Sequence, residues 1–211
     1  MAYFAIYAVI MATLFGIGLP IFWMVVIRKR PLSDLGLTFK RWRLSILIQL
    51  VLSVILYVIG PKFNIGSVAE FIPLVGLALA IGFFEAVFWR GWVIGRLEQS
   101  FGMIPAILVG SVLYAFYHIG YGMSMDDMLF LFFIGIMFAV VFKLTNSVII
   151  LWPVFQPMGQ LITLTEDGLA LPILAVLGFL DVLAVMITLI WLASKYYKKH
   201  NQSRTISQTN P

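Results

Sequence analysis

The sequence predicts an all-α fold, a polytopic transmembrane helical bundle of about seven spans (six to eight), and three observations predict it. First, 62% of the 211 residues are hydrophobic and 11% are charged, with mean hydropathy +1.04. A soluble domain carries about a quarter charged residues and could not bury so much apolar surface. Second, apolar stretches fall near 3–27, 44–60, 68–93, 103–119, 127–142, 146–164 and 171–193, close to the ~20 residues that a spanning helix needs. Third, these runs are apolar all round, whereas membrane strands alternate with period two and must close a barrel.

The elements follow in order. The first run is too long for a signal-peptide core and has no basic start, so it reads as a retained span. After it, Arg28, Lys29, Arg30, Lys40, Arg41 and Arg43 face a single acid, Asp34, which predicts a cytoplasmic loop. Within that loop "PLSDLGLTFKRWR" suits a short interfacial helix with Ser33 as its cap. The spans at 44–60 and 127–142 are short enough to be tilted or re-entrant. "RLEQSFG" at 96–102 reads as the polar turn after the third span, with Gly102 as a helix stop. "YGMSMDDM" reads as a loop packed on lipid. Alternating sides puts Arg96, Lys143, Lys195, Lys198, Lys199 and Arg204 inside. Glu70, Asp126, Asp127, Glu166 and Asp167 then lie outside with only Lys62 basic. The N-terminus is therefore expected outside and the C-terminus inside, with 195–211 as a polar, irregular cytoplasmic tail.

Several function classes drop out. Cysteine is absent, so there is no disulfide framework and no thiolate zinc site. The net charge of +5 is explained by the inside loops, so the expected partners are membrane lipid and membrane-associated molecules, not nucleic acid. No pair of interrupted helices recurs in two halves, which argues against a transporter.

Four ionisable residues sit inside apolar runs: Glu85, Arg90, His118 and Asp181. Each costs several kcal/mol there unless it is paired, neutralised or hydrated. On an α-helix, a spacing of five turns Arg90 roughly 140° away from Glu85, so the two should not share a face. Glu85 precedes the turn at 101–102 by as many residues as His118 follows it. In an antiparallel helix pair, that places carboxylate and imidazole at one depth, where together they can activate a water.

The blocks "EAVFWRG", "YAFYH" and "WPVFQPMGQ" resemble, in order and spacing, the three motifs of the CPBP family: CAAX proteases, bacteriocin-processing enzymes and Abi proteins, which are helical intramembrane proteases. Glu85, Arg90 and Gly91 match the first motif, with Ala86 in place of its second Glu. Tyr114 and His118 match the second. Gln156 and Gln160 stand where the third has His and Asn. The resemblance implies a single transmembrane CPBP-like domain over 1–194, with its motif core at about 70–165. It implies a peptidase in which Glu85 and His118 activate the water that attacks a peptide bond of a membrane-associated peptide or protein. Gln156 and Gln160, each with an amide NH₂, would serve the oxyanion. The alternative is a non-catalytic member that binds or regulates another membrane protein or confers bacteriocin immunity. A catalytic zinc usually has three protein ligands. Glu85 and His118 supply two, so no resident cofactor is expected, and these two would be the ligands of any divalent ion such as zinc. With no second Glu, Arg90 needs another acid, and Asp181 is the candidate for a structural charge pair. A compact chain of this kind is expected in a prokaryotic plasma membrane.

Overall fold

A computed structural model describes residues 5–60, 63, 67–166 and 168–209. Lys62 and Asp167, both used for topology, lie outside the described residues. The described chain forms seven helices in sequence order and no strand. They are α1 (5–27), α2 (Trp42–Ile59), α3 (Val68–Phe101), α4 (Met103–Tyr117), α5 (Met125–Thr145), α6 (Phe155–Glu166) and α7 (Ala175–Thr209). All but α6 are long and apolar enough to cross a bilayer, so the chain is an integral membrane protein.

The central element is α3, 34 residues long and 61% buried along its most apolar window, against 17% for α2 and for α7. It packs against α1, α4, α6 and α7. Its start is fixed by a capping box, in which Ser67 Oγ accepts from the Glu70 amide and Glu70 accepts from the Ser67 amide, an arrangement that satisfies two otherwise orphaned donors. Between Ala86 and Val93 the helix widens into π-type turns. It ends at Gly102, whose φ of +83° only glycine adopts freely. Residues 96–101 are thus helical, and the expected polar turn shrinks to Gly102.

The packing corrects the sequence reading elsewhere. The 31–43 loop holds one 3-10 turn, Leu32–Leu35, opened by Pro31 and closed by Gly36 at φ +74°. Ser33 makes no cap bond there. The turn buries Leu32 and Leu35, and Arg30 Nε donates to Asp34 at 2.6 Å. The stretch 127–142 is part of a full-length helix of 21 residues. "YGMSMDDM" contains its start, because Ser124 and Asp127 form a second capping box. The tail is helical to Thr209. No glycine or proline occurs between Gly178 and Pro211, and Tyr196 stacks on His200 one turn away.

The stretch 146–164 is not one continuous helix. A short 3-10 turn at Val148–Ile150 and a bend through 151–154 precede α6, which has 12 residues. Irregular backbone is tolerated at membrane depth only where protein buries and satisfies it. Here Val148 N donates to Gly36 O, Val154 N donates to the fully buried Gln49 Oε1 at 3.1 Å, and Trp152 Nε1 donates to Leu79 O at 3.0 Å. This bend lets α6 begin halfway along α3, beside Gly82.

Candidate active site

Glu85 ends the regular part of α3 and is 2% exposed. One of its oxygens, Oε2, accepts three hydrogen bonds from side chains on two other helices. Tyr114 Oη donates from α4 at 3.3 Å, and Gln156 Nε2 and Gln160 Nε2 donate from α6 at 3.0 Å each. The two glutamines reach one atom because a spacing of four puts them on one face of a helix. They reach it at all because position 82 is glycine: a Cβ there would stand 3.0 Å from Pro157 Cγ. Gly82 therefore lets the start of α6 lie directly on α3, one turn before Glu85.

His118 closes α4 one turn beyond Tyr114 and is 8% exposed. Its Nδ1 is 2.8 Å from the Tyr114 carbonyl oxygen. A carbonyl only accepts, so Nδ1 carries a hydrogen and the neutral ring presents Nε2 as an acceptor. The His118 and Tyr114 rings meet edge to face at 5.0 Å. Counting residues from Gly102 predicted His118 at the level of Glu85. The residue that bonds Glu85 is Tyr114, one turn nearer Gly102. The wide turns at Ala86–Val93 account for part of this difference, since a helix closed by i→i+5 bonds advances less per residue.

The same wide turns alter the place of Arg90. Bonding of the i→i+5 kind brings residues five apart toward one face. Arg90 and Glu85 both approach Tyr114: the guanidinium carbon lies 4.5 Å from the Tyr114 ring centre and 5.6 Å from that of Phe138. Arg90 is fully buried, and among the described residues none of its three guanidinium nitrogens has a hydrogen-bond acceptor. The expected pair with Asp181 does not form. Val176 and Phe179 of α7 pack on Gly76, fourteen residues before Arg90, so Asp181 is several turns away along the bundle, and it is exposed. Ala86, where the resembled motif has its second Glu, is fully buried and offers Arg90 nothing.

Tyr114 was legible only as the aromatic residue of a motif. Its hydroxyl, four residues before His118 and on the same helix face, was the available signal for a second role. Gln49 and Trp152 were not singled out, since nothing local marks a residue that caps a distant bend.

The donor set does not suit a catalytic zinc. Three N–H or O–H groups point at Glu85 Oε2, where a cation would have to displace them. Among the described residues no three His, Cys, Asp or Glu side chains cluster as metal ligands. Each glutamine NH₂ keeps a second hydrogen beyond the one given to Glu85.

Residues 67–155 match the family model described as Type II CAAX prenyl endopeptidase Rce1-like. The match includes Glu85, Arg90, Tyr114 and His118, and it stops one residue before Gln156. No curated protein and no solved structure matches the chain.

Proposed function

We propose, for a chain whose residues 67–155 match the model of Rce1-like type II CAAX prenyl endopeptidases, that it hydrolyses a peptide bond of a membrane-associated peptide or protein with a water activated by Glu85 and His118. The observation that carries this reading is the convergence of Tyr114, Gln156 and Gln160 on a single oxygen of a buried glutamate. Such anchoring fixes the carboxyl group and leaves Oε1 as the edge that meets a water. The water is held between Oε1 and His118 Nε2. As its oxygen attacks the carbonyl carbon, its proton passes to Glu85. The C–N bond then breaks, and the amine leaves with that proton. The second N–H of Gln160, which is only part-buried, serves the oxyanion. Gln156 is fully buried and acts chiefly by positioning Glu85. No metal takes part in this scheme.

A second reading rests on a specific observation. The glutamine amides are already engaged with Glu85, as expected if the motif residues have become a structural polar knot. The chain would then bind or regulate another membrane protein without cleaving it.

The test compares the peptide ends present in native membranes with wild-type protein and with Glu85→Gln at equal abundance. New termini that depend on Glu85 support the peptidase. Identical sets of termini would leave only the binding reading.

A further inference from the structure

The two faces of α7 differ in character. Phe179, Val182, Leu183 and Met186 are buried in the apolar core that α7 shares with α1 and α3. Leu174, Leu177, Asp181, Ala184, Thr188 and Trp191 are exposed. Their spacing alternates between three and four, so they form one stripe along the helix. Asp181 lies in the middle of that stripe, and it is the sole charged residue between Pro172 and Lys195. At ~1.5 Å per residue it is about 13 Å from Pro172, near the middle of a hydrocarbon core ~30 Å thick. Long Lys and Arg side chains can reach the interface from such a depth, but the single methylene of Asp cannot. Among the described residues Asp181 has no hydrogen-bond or ion-pair partner. Ionisable groups inside a membrane face the bundle interior or an opposite charge, because a lone one is expensive. This one faces away from the bundle.

We propose that this stripe of α7 docks a transmembrane helix of another protein, one that carries a Lys or Arg at the depth of Asp181. Charge complementarity selects that occupant. A second copy of this chain does not supply the cation: Arg90, its one mid-span cation, is fully buried, and its other Lys and Arg residues flank the apolar runs. The rest of the stripe suits a helix. Ala184 and Thr188, the next two positions inward, are short, and small residues let transmembrane helices approach closely. Thr188 Oγ1 donates to Ala184 O at 2.8 Å, which leaves the hydroxyl oxygen free to accept from a neighbour. This surface does not depend on whether Glu85 performs hydrolysis.

The test uses the purified full chain in vesicles of neutral phosphatidylcholine. The chain has no cysteine, so Ser194→Cys carries a single donor fluorophore. The probe is a helix of ~20 Leu and Ala residues with an acceptor fluorophore and one central Lys, and sister peptides have Leu or Glu at that position. Energy transfer reports binding. The Lys peptide should bind about tenfold or more tightly than the Leu peptide, and the Glu peptide no better than the Leu peptide. Asp181→Asn keeps the size and removes the charge, so it should abolish the preference for Lys, whereas Asp181→Glu should retain it. Ala184→Phe blocks the close approach and should weaken the Lys peptide about tenfold. Both positions are exposed, so these variants should unfold at the wild-type temperature. Equal binding of the Lys and Leu peptides would overturn the proposal, as would a preference that survives Asp181→Asn or an affinity untouched by Ala184→Phe. Energy transfer between two labelled copies of the chain that disappears in Asp181→Asn would also overturn it, by giving the stripe to a second copy.

Discussion

Tyr114 is the residue on which the site turns. Its hydroxyl holds Glu85, its ring faces Arg90, and its edge meets His118. Tyr114→Phe keeps the packing and removes one bond to Glu85. It should lower kcat about tenfold, the size of one lost hydrogen bond, with little change in unfolding temperature. Gln160→Ala should cost on the order of 10² in kcat, as for a single oxyanion donor, whereas Gln156→Ala, which removes one bond that positions Glu85, should cost about tenfold, like Tyr114→Phe. An unchanged kcat in Tyr114→Phe would mean that the two glutamines alone fix Glu85. Asp181, exposed and far along the bundle from Arg90, should show no coupling to it. A double-mutant cycle of Asp181→Asn with Arg90→Met is expected to give less than about 0.5 kcal/mol, and a larger coupling would restore the charge pair.

At the scale of elements, two glycines set the distances that the site needs. A Cβ on Gly91 would stand 2.2 Å from the Leu35 carbonyl oxygen, so backbone must move. Gly91→Ala should lower stability by about 1–3 kcal/mol, as overpacking does, and the shift can be read in the unfolding of detergent-solubilised protein. Gly82→Ala presses on Pro157 at the start of α6 and should lower activity more than stability, because Gln156 is the next residue back. The apolar runs made the helices legible in the sequence, and the in-membrane charges marked Glu85 and His118. The π-type turns were not legible, because any α-helical reading of "AVFWRGWV" assumes 3.6 residues per turn. That assumption set Arg90 on the wrong face and His118 one turn out of level. The break in 146–164 was hidden too, since the side chains that satisfy it, Gln49 and the residues around Gly36, are about a hundred positions away.

At the scale of the whole molecule, we propose the topology that the loop charges favour, with the N-terminus outside and the C-terminus inside. We propose that the bend at 146–154 and α6 together make a further crossing beside the six helices long enough to span, with the irregular part bonded to α2 and α3. Reporter fusions after Ser194 should read cytoplasmic, and fusions within 121–126 should read external. Both sites reading the same side would mean that 146–166 enters and leaves by one face.

The central claim is that Glu85 and His118 act as one catalytic unit. It is tested most directly by measuring kcat/KM of wild type, Glu85→Gln, His118→Ala and the double variant on one cleaved substrate, at matched folding. Residues that act together fail together, so each single change should abolish nearly all cleavage and the double variant should be scarcely worse. Cleavage that survives both single changes would contradict the claim.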